Sequence, residues 1–145
     1  MTCALVVDDD ADVLAAIGTW LHVEDIDAVL AESAAEGFQA FDAFSFDVGL
    51  VDIFMPKIDG LKAIRAFRSR SPNLPIIAMS GLATRYPPRP APDYFGLALV
   101  LGARCCLRKP FADAELMAAI KTCLDASQPT SVPAAGVAKA RAPTW

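Results

Sequence analysis

The residues best able to do chemistry are three acids, a hydroxyl and a lysine, each at the end of a short apolar run. In VDIFMPKIDG (51–60) the apolar run VGLV closes on Asp52, and the chain then turns at once through Met-Pro. Asp8 and Asp9 close CALVV (3–7), Ser80 follows PIIAM (75–79), and Lys109 lies just beyond RCCL (104–107). Each acid alone reads equally well as a solvated strand terminus. Brought together, carboxylates repel one another in a partly dry pocket, and folding gains nothing from that. A hard divalent cation with oxygen ligands relieves the repulsion, and Mg²⁺ takes one or two carboxylates together with waters and phosphate oxygens. A carboxylate is also a nucleophile towards phosphorus, forming an acyl phosphate, and a neighbouring ammonium stabilises charge on the transferring group. With Ser80 as a hydrogen-bond donor to a phosphoryl oxygen, the set holds the parts for accepting phosphate on an aspartate.

The elements that must position these residues alternate. Strands are expected at 3–7, near 28–31, at 47–51, 75–79 and 104–107. Between the first two runs Asp10 is a fitting helix N-cap, and Val13, Ala16, Ile17, Trp20 and Leu21 form one helical stripe. Ser33 with Glu36 three residues on is a capping box for a second helix that turns Ala34, Phe38 and Phe41 inward. Gly60 to Arg70 places Leu61, Ile64 and Phe67 inward and its basic residues outward, and Ala112 to Leu124 aligns Leu116, Ile120 and Cys123. Asp59 reads as a loop acid capping the third helix, and His22 as a solvated or packing residue near the end of the first. Strands alternating with helices imply parallel pairing and an α/β doubly wound three-layer sandwich. Chemistry in such sheets gathers at the strand C-termini, where all five residues fall.

Composition bounds the rest. The 145 residues suit one domain, and 54% hydrophobic with 21% charged residues suits a compact core. A net charge of −4 argues against a basic nucleic-acid footprint, so no direct nucleic-acid partner is expected. No apolar run reaches membrane-spanning length, and MTCALVVDDD lacks the features of a secretion signal, so a cytoplasmic location is expected. Cys3, Cys105, Cys106 and Cys123 have neither CxxC nor zinc spacing and read as buried reduced thiols, with Cys105 and Cys106 on opposite faces of a strand.

From Ala4 to Leu124 the chain resembles the receiver domains of two-component response regulators, of the stand-alone chemotaxis-regulator type. The motifs that carry the resemblance are VVDDD (6–10), VDIFMPKIDG (51–60), IIAMSG (76–81) and GARCCLRKPF (102–111). The resemblance implies a flavodoxin-like sheet of five parallel strands in the order 2-1-3-4-5 with five helices. It makes Asp52 the phosphoacceptor, and it makes Asp8, Asp9, Asp52 and the Phe54 carbonyl the ligands of Mg²⁺. Ser80 matches the switch hydroxyl and Lys109 the family's lysine, with a cis Lys109–Pro110 bond. The implied donors are a sensor histidine kinase or a histidine phosphotransfer protein, and the output is contact with a downstream target protein. No activity beyond self-catalysed phosphorylation and dephosphorylation is implied.

Several positions depart from the family pattern. Cys106 stands where a rotating aromatic switch residue is usual. Phe54 and Leu82 put apolar side chains beside the site, where they would shield an acyl phosphate from water and lengthen its life. Between the fourth and fifth strands, Pro87, Pro88, Pro90 and Pro92 forbid a helix until about Asp93. The shortened, apolar fourth helix suggests a partner or self-association surface, with a homodimer through the fourth helix, fifth strand and fifth helix as one form. Residues 126–145, rich in Ala, Pro, Ser and Thr, read as a disordered tail after a receiver at 1–125. Two other readings are a docking scaffold acting without phosphate and an aspartate-nucleophile phosphatase. The latter is disfavoured because Phe54 occupies the place of its usual second acid.

Overall fold

In the computed structural model, described for residues 1–55, 60–81 and 94–127, five strands alternate with five helices. These are β1 (Cys3–Val7), α1 (Ala11–Val23), β2 (Asp27–Ala31), α2 (Ala34–Ala43), β3 (Val48–Asp52), α3 (Gly60–Arg70), β4 (Ile76–Ser80), α4 (Tyr94–Leu101), β5 (Cys105–Arg108) and α5 (Asp113–Ser127). All pairings are parallel, as the alternation implies, and the sheet order is β2-β1-β3-β4-β5, as the family resemblance implies. The three central strands are buried along their whole length, while β2 and β5 are partly exposed at the edges. This is why β1, β3 and β4 read as unbroken apolar runs: each of their faces is covered by helices.

Alternation along the strands divides the core in two. Leu5, Val7, Val51, Ile76 and Ala78 pack with Phe41, Ile64, Phe67 and Ala98 under α2, α3 and α4. Ala4, Val6, Leu50, Ile77, Met79 and Leu107 pack on the other face with Ile17, Leu21, Leu116, Ile120 and Cys123 of α1 and α5. Cys105 joins the second layer and Cys106 the first, the opposite-face arrangement expected from their adjacency.

Helix ends follow local chemistry. Asp10 Oδ1 accepts from the Asp12 and Val13 amides at 2.9 and 3.3 Å, opening α1. Ser33 Oγ accepts from Glu36 N at 3.1 Å, while Glu36 Oε2 reaches the Glu32 amide, one residue before the cap. At the end of α4, Ala103 N donates to Ala98 O at 2.8 Å with Gly102 at φ +126°, a left-handed stop that suits glycine.

The helical stripe of α1 is rotated from its sequence-based position. Leu14, Ile17 and Leu21 are its buried line, whereas Val13, Ala16 and Trp20 are only partly covered. Helix α4 lies on the surface, with only Ala98 buried and Val100 82% exposed. The Pro-rich loop, Asp93, Leu82 and Asp59 lie outside the described residues. So do residues 128–145, and α5 continues to Ser127, into the stretch read as tail.

Among the described residues Phe67 is the largest fully buried side chain, with ring centroids 5.0 Å from Phe38 and 5.1 Å from Phe41. Phe67→Ala is expected to cost about 3–5 kcal/mol in urea unfolding, with Phe67→Leu costing less than half as much.

Candidate functional site

Three hydrogen bonds carry the sheet beyond its regular strands and fix the residues at their tips. Asp8 N donates to Ala31 O (3.1 Å), Ile53 N to Met79 O (2.9 Å) and Lys109 N to Ser80 O (2.8 Å). The backbones of Asp8, Asp52, Ser80 and Lys109 are therefore held at one edge of the sheet. The close approach at Gly60 adds to this. Its amide donates to Ile53 O at 3.2 Å, and any Cβ there would overlap the Asp52 carbonyl oxygen and Ile53 Cα. Only glycine lets α3 begin directly against the Asp52 turn.

Side-chain chemistry follows from that placement. Carboxylate oxygens of Asp8, Asp9 and Asp52 all lie within 4.8 Å of one another. Asp8 and Asp52 are buried and Asp9 faces solvent. Asp8 Oδ1 accepts from Asp10 N at 2.9 Å, and Asp52 Oδ1 accepts from Phe54 N at 3.1 Å, which leaves the second oxygen of each turned to the cluster. Lys109 Nζ meets those oxygens, at 2.5 Å from Asp8 Oδ2 and 3.6 Å from Asp52 Oδ2. Lys109 thus pairs with two of the three clustered carboxylates. Burial pushes the Asp52 carboxyl up to about 6, opposed by the Phe54 amide and Lys109 and reinforced by Asp8 and Asp9. A compact, all-oxygen set of this kind with one open, solvated member fits a hard divalent ion such as Mg²⁺.

Ser80 is buried at the tip of β4, next to Met79, which is paired with Asp52. The Lys109–Pro110 bond is cis, as expected. Phe54 is partly buried and meets Tyr94 edge-on, with centroids 4.8 Å apart at 81°. Cys106 Sγ rests 3.8 Å from the Phe95 carbonyl oxygen on the inner side of α4.

One wall of the site has no counterpart in the sequence-based expectations. A cavity of about 590 Å³ holds Asp8, Asp9, Asp52 and Lys109 on one side and Val13, Trp20 and Phe111 on the other. Trp20 and Phe111 pack at 6.2 Å between centroids. Trp20 belongs to an apolar helical stripe, so periodicity assigns it to the core, and only the rotation of α1 turns it to the rim.

The response regulator receiver domain profile matches residues 4–121. The chain belongs to that family. Relatives include a CpxR homolog of Haemophilus influenzae, described as a transcriptional regulatory protein. It is 34% identical over 124 residues, covering 86% of this chain and 51% of that protein. The transcriptional regulatory protein PrrA of Mycobacterium bovis is 33% identical over 120 residues, covering 83% of this chain and 48% of its own length. Among solved structures, a receiver domain from Clostridium thermocellum matches with a TM-score of 0.76 and 28% identity, covering 87% of this chain and 96% of that one. A CheY-like receiver domain from Methanospirillum hungatei shares the fold with a TM-score of 0.78 at 24% identity, covering 88% and 96% of the two chains. The chain is therefore a receiver domain of the two-component response regulator kind. The chain spans about half the length of the curated relatives it matches.

These relatives correct one expectation. The acidic balance argued against any nucleic-acid partner, yet the matched proteins are transcriptional regulators by name. Net charge over a receiver reports only on its own surface, not on the half of the relatives that lies beyond the match. Among the described residues no helix is long and apolar enough to cross a membrane.

The raised Asp52 carboxyl has a consequence for stability. The folded protein holds a proton there up to about pH 6. The unfolded chain releases it near pH 4, so the folded state binds more protons in that window and loses stability as pH rises through it. Asp52→Asn removes this burden. In metal-free buffer it is expected to stabilise the protein by about 1–3 kcal/mol at pH 7.5, with the gain fading towards pH 4; urea unfolding at both pH values checks this. Gly60→Ala should destabilise by about 1–3 kcal/mol or more in the same assay, because backbone atoms must move.

Proposed function

We propose that Asp52 accepts a phosphoryl group from phosphohistidine and that the phosphorylated receiver signals through protein contacts. The observation that carries the proposal is the clustering of three carboxylates within 4.8 Å, with Lys109 paired to both Asp8 and Asp52. Asp8, Asp9 and Asp52, together with the Phe54 carbonyl, would hold Mg²⁺. Bound there, the ion would neutralise charge on the phosphoryl oxygens and on the crowded acids.

The chain's own residues supply the remaining chemistry. Asp52 Oδ2 is the oxygen turned to the cluster and attacks phosphorus. The P–N bond to the donor imidazole breaks, its electron pair stays on nitrogen, and an acyl phosphate forms. Near neutral pH most Asp52 is ionised and nucleophilic, since its carboxyl titrates at about 6. The Lys109 ammonium, 3.6 Å from that oxygen, is placed to pair with the arriving phosphoryl oxygens. Ser80, buried at the neighbouring strand tip, would turn its hydroxyl to the phosphoryl group and transmit its presence to β4. Phe54, two residues after Asp52 and packed edge-on against Tyr94 of α4, would limit the approach of hydrolytic water. Cys106, resting on the Phe95 backbone, gives a coupling to α4 that relies on packing instead of a swinging ring. Self-phosphorylation and self-dephosphorylation are the only reactions assigned to the domain.

Incubation with Mg²⁺ and a small phosphoramidate or acyl phosphate, followed by intact mass, is expected to add one phosphoryl group to the wild type. Asp52→Asn should add none, and Lys109→Ala should slow uptake by at least about tenfold. A phosphorylated Asp52→Asn protein, or a wild type that stays unmodified, overturns the assignment. Phe54→Asn is expected to shorten the lifetime of the phosphorylated protein several-fold, followed as loss of the modified mass after donor removal; an unchanged lifetime contradicts the shielding role.

A further inference from the structure

A second pair of reactive groups lies on the opposite side of β5 from Cys106. Cys105 opens the edge strand β5, and its Sγ is 3.1 Å from Sγ of Cys123 on α5. Both thiols are free. A disulfide needs an S–S distance of about 2.05 Å, so the two sulfurs must close by roughly 1 Å. The pair differs in access: Cys105 is half-buried at the sheet edge, whereas Cys123 is fully buried. The Arg104 guanidinium donates to the Cys123 carbonyl oxygen at 3.1 Å, so a cation sits beside the pair. Cys106 faces the other layer, and Cys3 stands on β1, separated from β5 by β3 and β4.

We propose that Cys105 and Cys123 form a redox-modifiable pair that a peroxide oxidant converts to a disulfide joining β5 to α5. The half-buried Cys105 reacts first: its thiolate attacks one peroxide oxygen, the O–O bond breaks, and water leaves after protonation, giving a sulfenic acid at Cys105. Cys123 Sγ then attacks Cys105 Sγ, the S–O bond breaks, and the departing hydroxide takes up the Cys123 proton as water. Two thiols and one hydrogen peroxide give one disulfide and two waters, with two electrons passing from sulfur to oxygen. Burial and the contact with Cys105 push the Cys123 thiol up to about 12, consistent with its acting second and slowly. The resulting bond would fix α5 against the strand that leads, four residues on, to Lys109, and it is independent of the phosphoryl chemistry.

The full chain would be treated with hydrogen peroxide, denatured with an alkylating agent, and mapped by mass after trypsin without reductant. The expected result is loss of two of the four alkylatable thiols, with an intramolecular link between the fragment beginning at Cys105 and that containing Cys123, reversed by dithiothreitol. Cys106→Ala should keep the link, and Cys105→Ala should abolish it. Four thiols still alkylated, oxidation stopping at Cys105 without a link, or a link only between molecules each overturns the proposal. The wild-type map stands even where a variant folds poorly.

Discussion

The crowding of three carboxylates around the Lys109 ammonium's ion pairs is the interaction on which the structure turns. Lys109 pairs with Asp8 and Asp52, and Asp9 completes the cluster from the solvent side. Buried like charges are costly, and among the described residues the Lys109 cation offsets only part of the cost. The remaining excess of negative charge makes the site receptive to a divalent ion, and burial, reinforced by Asp8 and Asp9, raises the Asp52 carboxyl into the range where proton and metal compete. A core built for stability alone would place apolar residues at these strand tips.

The fold keeps the cluster from relaxing. Strands β1, β3 and β4 are buried throughout, and backbone bonds from Asp8, Ile53 and Lys109 to neighbouring strands extend the ladder into the site. The Asp8 and Asp52 side chains are held in turn by the Asp10 and Phe54 amides and by Lys109. Gly60 presses α3 against the Asp52 turn and closes off the remaining backbone freedom. Phe54, Tyr94 and Cys106 connect the same edge to α4, whose outer face exposes Leu97, Leu99 and Val100. A change in charge at Asp52 thus has a packed route to the surface.

Much of this was legible in the residues themselves. Unbroken runs such as CALVV and PIIAM mark strands covered on both faces, and acids or Ser at their ends mark the edge where chemistry gathers. Asp10 and Ser33 announce two helix starts through capping chemistry that is local and therefore readable. What periodicity could not settle was rotation. Val13, Ala16 and Trp20 satisfy the helical rule as well as Leu14 does, but only the angle of α1 against the sheet decides which residues face the core. The contact of Cys105 with Cys123 was similarly hidden: it depends on the register of α5 over β5, a tertiary quantity with no sequence signature. The need for Gly at position 60 was invisible too, because it arises from the backbone of Asp52 and Ile53 across the turn.

The most direct test of the charge-crowding account is calorimetric titration of Mg²⁺ into the unphosphorylated protein at pH 5 and pH 7.5. If the acids are crowded against one cation, one ion binds, and affinity rises by about tenfold or more at the higher pH as Asp52 gives up its proton. Asp9→Asn should weaken binding at pH 7.5 by a comparable factor. An affinity indifferent to pH and to Asp9, or no binding at all, would contradict the account.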